Sequence, residues 1–484
     1  MKRFMLLAIA ICLAIIAAVA QDFPAVSYDE VETSKRYIKG NIFQKDLLLY
    51  SYTLEVTHPH FADPKHAKVL RKITDELYKE CAEIEDAKSF CSMLQRLISP
   101  LNDGHSQVAT GRSQSEIFPI YILFDDKQSG YVYAIDKGQT QHLGKRIAAI
   151  NSEPISEFLT EARMLVSGDN EVFKNIQLSK TLSLRDFWRE YGFGGDTLSL
   201  TFTDGTSTAI GVVTPDKVAI EQLARQDYIT TEPRNLPFHY EIVEEESICY
   251  LQFNMCYDSV TYPNLNHRFD DFIESMMADI EAESIKTLVI DVRNNGGGNS
   301  SLCDLLLSYL TDFDEMKQMG CKVRMSDLLL HHQPNLRNLT LNGGGRPTKG
   351  EVFDFWQIKY DNPEMPMSAH RINRDASKVF KGNVVFISGM NTFSSAGMLL
   401  TLARDNNIGT IIGETSCHRP SHYGDVLRFK LPNTNTIATV SCRYITRPNS
   451  ELDGETELVP DVIINLSDYN KPGDPAWEYI IENY

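Results

Sequence analysis

Two stretches of this chain repeat one pattern, a short apolar run that breaks into a turn of small residues and resumes as an apolar helix. The first is Thr287-Leu288-Val289-Ile290-Asp291-Val292, then Arg293-Asn294-Asn295-Gly296-Gly297-Gly298-Asn299, then Leu302 to Leu310. The second is Val384 to Ile387, then Gly389-Met390-Asn391-Thr392-Phe393-Ser394-Ser395-Ala396-Gly397, continuing into Met398 to Ala403. Alternating buried strands and helices of this kind place the region in the α/β class.

The two turns also carry chemistry. A hydroxyl at Ser394 or Ser395 would be held by rigid elements, close to backbone N–H groups and the positive end of a helix, which suits a nucleophile whose transition state carries an oxyanion. Serine at a helix start is otherwise a cap. The three glycines leave backbone N–H groups bare to a ligand or a developing negative charge. A phosphate loop would need a Gly-Lys-Ser/Thr ending, which does not follow here.

Four segments, in order, resemble the tail-specific (C-terminal-processing), tricorn-type and interphotoreceptor retinoid-binding-protein-like serine peptidase family. They are Leu288 to Gly298, Asn391-Thr392-Phe393-Ser394-Ser395-Ala396, Ile412-Gly413-Glu414-Thr415-Ser416 and Leu458-Val459-Pro460-Asp461-Val462, with Leu101-Asn102-Asp103-Gly104-His105-Ser106 upstream. The resemblance implies Ser394 as nucleophile, with Ser395 its rival, and an oxyanion hole from the Ser395 N–H with one N–H of Gly296-Gly297. The tail-specific branch has a lysine base after its Gly-Glu-x-Thr motif; here Arg419 stands in that stretch and cannot deprotonate. Tricorn-type members use a histidine of the upstream loop, which matches His105, while His418 is the alternative base. Glu455 and Glu457 lie where such members carry an acid that orients the imidazole, and the choice between the two stays open. Gly104 replaces the serine that precedes the histidine in those members.

The start of the chain reads as a secretory signal peptide over residues 1–20, with basic Met1-Lys2-Arg3, apolar Phe4 to Ala17 and the cleavage pattern Ala18-Val19-Ala20. An exported protein, periplasmic or extracellular, is expected, with no membrane span after signal removal. Eight cysteines would remain (Cys81, Cys91, Cys249, Cys256, Cys303, Cys321, Cys417 and Cys442), several in apolar runs where they read as small core residues. His58, His60 and His331-His332 lack a second ligand pair at zinc spacing, so neither metal nor cofactor is expected. The formal charge of −18 argues against nucleic acid as a partner and leaves a peptide or unfolded-protein substrate.

The expected organisation is a multidomain α/β protein. An N-terminal helical domain spans 21–112, with helices starting at Asp63-Pro64 and ending before Pro100, and delivers the His105 loop. A β-rich domain over 113–215 contains Gly144 to Asn151, which is similar to part of a PDZ domain. A polar linker follows at 216–237. The peptidase core, 238–484, includes an amphipathic helix with Phe269, Phe272, Ile273, Met276, Met277 and Ile280 on one face, and the resemblance implies a ClpP/crotonase-like spiral ββα core. Leu310 to Lys381 reads as an insertion shaping the cleft. The expected activity is that of a serine endopeptidase acting through an acyl-enzyme; the opposing readings are an inactive peptide-binding homologue and a non-peptidase serine hydrolase.

Overall fold

The computed structural model describes residues 28–109, 111–125, 127–215, 218–222, 236–359, 370–470 and 473–484. The expected signal peptide lies outside the described residues, as does most of the expected linker. The architecture is mixed α/β and multidomain. Among the described residues no helix is long and apolar enough to cross a membrane.

After two short helical turns at Asp29–Glu32 and Lys35–Lys39 come three longer helices: α1 (Ile42–Thr57), α2 (Pro64–Glu80) and α3 (Ala87–Ile98). Each begins at a side-chain cap from Asn41, Asp63 or Asp86, which satisfies backbone N–H groups that a helix start leaves unpaired. A sheet follows, built from β1 (Ile120–Phe124), β2 (Gly130–Asp136), β3 (Arg146–Ile150), β4 (Thr197–Phe202) and β5 (Ser207–Gly211) in that order. Helix α4 (Glu171–Thr181) lies between β3 and β4 in the chain. The Asp204-Gly205 turn closes the β4–β5 hairpin, with Asp204 accepting from the Thr206 N–H at 2.9 Å. Part of the expected linker is ordered pairing instead: β6 (Ile220–Gln222) runs antiparallel to β2.

Besides a two-stranded pair of Thr340–Leu341 with Ile358–Lys359, the described C-terminal half holds two larger sheets. One is β7 (Phe238–Val243), β8 (Ile248–Phe253), β9 (Thr287–Asp291), β12 (Asn383–Ser388), β13 (Thr410–Gly413) and β16 (Val462–Ile463), parallel except for the β7–β8 pair. Helix α5 (Phe269–Ala282) buries Phe269, Ile273, Met276 and Ile280 against this sheet, as the stripe requires. Helices α6 (Ser301–Leu307) and α7 (Ser395–Asp405) leave the turns after β9 and β12. The other sheet pairs β10 (Gly320–Arg324) and β11 (Val352–Asp354) with β14 (His422–Lys430) and β15 (Ile437–Thr446), all antiparallel.

Two expected segments share structure with the rest of the chain. Leu310 to Lys381, expected as an insertion shaping the cleft, is not separate from the four-stranded sheet and supplies two of its strands. The N-terminal helices do not keep a core to themselves either: Leu47, Tyr50 and Phe90 share one buried cluster with Leu427, Phe429 and Val440. Large apolar side chains on one face of each element bury more together than apart. The shared core brings the loop after α3 to the edge of β15, where Thr439 and Gln107 exchange backbone hydrogen bonds of 3.3 and 2.9 Å.

Candidate active site

Strands β9 and β12 are adjacent and parallel, in register from Thr287↔Asn383 to Asp291↔Ile387, so the two turns read from the sequence emerge side by side. Buried Arg293 fixes the first turn through Asp291 and Asp474, each at 2.7 Å. Thr392 fixes the second: its hydroxyl donates to the Val292 carbonyl at 2.8 Å and accepts from the Gly389 N–H at 3.1 Å. Phe393 N–H then donates to the Asn295 carbonyl at 3.0 Å, tying one turn to the other. Ser394 closes the turn at φ 51° and ψ −124°. That left-handed backbone is costly for a side chain other than glycine, and it presents a hydroxyl ahead of a helix in the manner of a nucleophile elbow.

Ser394 Oγ meets His105 Nε2 at 3.1 Å, a contact between residues 289 apart in sequence. The His105 loop is pinned from behind, because Thr439 Oγ1 donates to the His105 carbonyl at 2.8 Å. The His105 ring stacks on Phe393, with centroids 4.6 Å apart, and Phe393 packs on Phe173 of α4 at 4.8 Å. All three regions of the chain therefore hold the imidazole. Ser395, by contrast, is 4% exposed and donates its hydroxyl to the Gly298 carbonyl at 2.7 Å. Its side chain braces the glycine turn.

The glycine turn comes within contact of the serine. A Cβ added at Gly297, where φ is +99°, would lie 2.7 Å from Ser394 Cβ and 2.9 Å from Ser395 N, so only glycine fits. Gly297 N–H already donates to Asn295 Oδ1 at 2.9 Å. Among the described residues, the Ser395 and Gly296 N–H groups have no such partner.

The acid beside the ring is not the one expected. Glu455 Oε2 accepts from Arg447 at 2.7 Å, and buried Arg447 also pairs with Asp405, so Glu455 is drawn into a separate ion-pair cluster. Glu457 follows in the same loop, and neither glutamate is among the acids facing His105. Asp103 takes that place, its Oδ1 3.8 Å from His105 Nδ1. Asp103 is fully buried and accepts from the His105 N–H at 2.8 Å, and its Oδ2 meets His58 Nε2 at 3.1 Å. His58 Nδ1 accepts from the His60 N–H at 3.2 Å, which leaves the His58 proton on Nε2 to be donated to Asp103. Burial alone would raise the Asp103 pKa, but the His58 hydrogen bond and the facing imidazoles hold it below the usual carboxylate range.

His418 lies in the same region as a different kind of neighbour. Its ring is fully buried on Gly397 of α7, where an added Cβ would lie 2.1 Å from His418 Cγ. Its centroid is 5.9 Å from Phe393 and 4.2 Å from a third ring, His422. Burial lowers the pKa of all three histidines, with Asp103 and Asp425 partly offsetting it at His105. His105 is thus held neutral at neutral pH, the form that accepts a proton. Asp103 was within sight of sequence reasoning, two residues before the histidine. Asp169 and His422 had no such signal, because only the fold brings them to the ring.

Residues 249–464 match the model of Peptidase family S41. No curated protein matches the chain. Among solved structures, mature CPAF complexed with lactacystin aligns with TM-score 0.61 and 14% identity, covering 91% of this chain and 96% of that one. Mature CPAF gives TM-score 0.61 and 14% identity, with 91% and 95% covered. The photosystem II D1 C-terminal processing protease gives TM-score 0.40 and 12% identity, with 87% and 92% covered, too remote in shape to carry an argument. At these identities the CPAF likeness concerns the fold.

Proposed function

We propose, from the match of residues 249–464 to the model of Peptidase family S41, that the protein is a serine peptidase hydrolysing peptides or unfolded protein tails through an acyl-enzyme on Ser394. The observation that carries this reading is the 3.1 Å contact between Ser394 Oγ and His105 Nε2, formed at a strained turn against a bare glycine loop. Ser394 Oγ attacks the scissile carbonyl while its proton passes to His105 Nε2. The carbonyl oxygen, now negative, takes the N–H groups of Ser395 and Gly296, with Gly297 giving it close approach to the backbone. His105 then returns the proton to the leaving amine, and water releases the acyl group by the same route.

Asp103, in place of Glu455 or Glu457, is the acid that orients His105 and stabilises its cation. Its 3.8 Å separation from Nδ1 exceeds a hydrogen bond, as free enzymes often show before substrate tightens the site. His418 packs against the nucleophile helix and is not the base. The middle sheet as a PDZ-like module, the core as a spiral ββα unit, and export directed by residues 1–20 belong to the same proposal. They rest on the Gly144 to Asn151 stretch, on the paired strand-turn-helix units and on the Met1 to Ala20 pattern.

The test is incubation of processed protein with an unfolded protein substrate, reading new termini by mass spectrometry. Fragments from the wild type and none from Ser394→Ala are expected. Bound but uncut substrate across a broad pH range would favour the inactive peptide-binding homologue. The positions of the new termini would separate trimming of tails from internal cleavage.

A further inference from the structure

On the Nδ1 side of His105 four side chains converge from three distant stretches of chain. One ligand atom from each of Asp103, His105 and Asp169 lies within 4.8 Å of the others. His418 flanks this group on its Asp169 side, its Nδ1 3.8 Å from Asp169 Oδ2. His105 Nδ1 and both ring nitrogens of His418 are buried without a hydrogen-bond partner, on side chains only 9% and 0% exposed. Buried polar atoms normally have a partner, a water or an ion, so an unpartnered His105 Nδ1 inside this group, with an unpartnered His418 ring on its Asp169 side, points to something that binds there.

The carboxylates are built as ligands are in metal sites. Asp103 accepts from the His105 N–H at 2.8 Å and faces His58 Nε2 at 3.1 Å. Asp169 accepts from the Gly104 N–H at 2.6 Å and the Arg419 N–H at 3.5 Å. These hydrogen bonds fix the orientation of each carboxylate while leaving lone pairs free, which is the part outer-shell partners play around a bound ion. Two imidazoles with two carboxylates suit a zinc-class ion, whereas calcium and magnesium favour sites made of oxygen alone.

We propose that Asp103, His105, Asp169 and His418 form a site for one zinc-class divalent cation that inhibits the peptidase. A cation on Nδ1 takes that lone pair and leaves the ring's single proton on Nε2. His105 then has no lone pair with which to accept the Ser394 proton, and acylation stops. The inhibitory part rests on the reading of Ser394 and His105 given above; the binding part does not.

The experiment therefore measures binding apart from activity. Processed Ser394→Ala protein, which keeps all four ligands, is titrated with ZnCl₂ by calorimetry and with Co²⁺ by visible absorption. One ion per chain and a four-coordinate Co²⁺ spectrum are expected. Asp169→Asn and His418→Gln, each made in the Ser394→Ala background and checked for fold by circular dichroism, should each weaken binding by about tenfold or more, since loss of even an outer-shell partner costs that much. Binding of equal strength in both variants, or none in the parent, overturns the site. In the wild type, Zn²⁺ should suppress active-site labelling and EDTA restore it. A bound ion that leaves labelling intact overturns the inhibition while the site stands.

Discussion

His422 ties the stability of the site to pH in a way that can be calculated. The residue opens β14 at 2% exposure, its ring 4.2 Å from His418 and 6.0 Å from His105. Burial first, and the nearby His105 second, push its pKa down to about 3. An unfolded histidine titrates near 6.5. Between those two values the unfolded chain binds a proton that the folded chain does not. The stability His422 contributes is therefore complete above pH 6.5 and is lost as pH falls toward the folded value. Integrating the linkage from pH 6.5 to 4.5 gives a loss of roughly 2 kcal/mol through this residue. Carboxylates titrate over the same range, so the measurement is a double difference. Urea denaturation of the wild type and of His422→Leu is compared at both pH values, and the wild type should lose roughly 2 kcal/mol more than the variant. Equal losses in the two proteins, within the ~0.5 kcal/mol error of such comparisons, would refute the argument that this ring is held neutral by burial.

Asp103→Asn should lower kcat by on the order of 10² to 10⁴, the upper figure being that for the orienting acid of a Ser-His-Asp peptidase, whereas Glu455→Gln should leave kcat nearly unchanged; steady-state cleavage of one peptide by both variants checks this. Gly397→Ala forces a methyl group to within 2.1 Å of where His418 Cγ now sits. Overpacking of that kind typically costs about 1–3 kcal/mol. A drop in melting temperature is expected, and His418→Ala in the same chain should restore most of it; additive losses in the double variant would deny the contact.

The parallel sheet was legible because its strands and helices are local. The Thr287 to Val292 and Val384 to Ile387 runs needed only their own residues to be read, and both are central strands. Beginnings of helices were legible for the same reason, as with Asp63 before Pro64. The four-stranded sheet was not. Its β10 pairs with β15, Cys321 opposite Ile445, and no local pattern announces a partner so far along the chain. Of the candidate site, Ser394 and His105 were reached through the family resemblance, since their contact spans two cores. Glu455 was drawn from the same resemblance, but Arg447, eight residues earlier, accounts for where its carboxylate sits. Asp169 sits in an unremarkable turn, and its place near the ring follows from the packing of α4 against Phe393.

The central claim is that Ser394 is a nucleophile served by His105. An active-site serine probe applied to processed wild type, Ser394→Ala and His105→Ala, with the labelled peptide sequenced by mass spectrometry, tests it most directly. The account predicts label on Ser394 in the wild type, none in Ser394→Ala and little in His105→Ala. Label on Ser395, or labelling of His105→Ala at the wild-type rate, would contradict it.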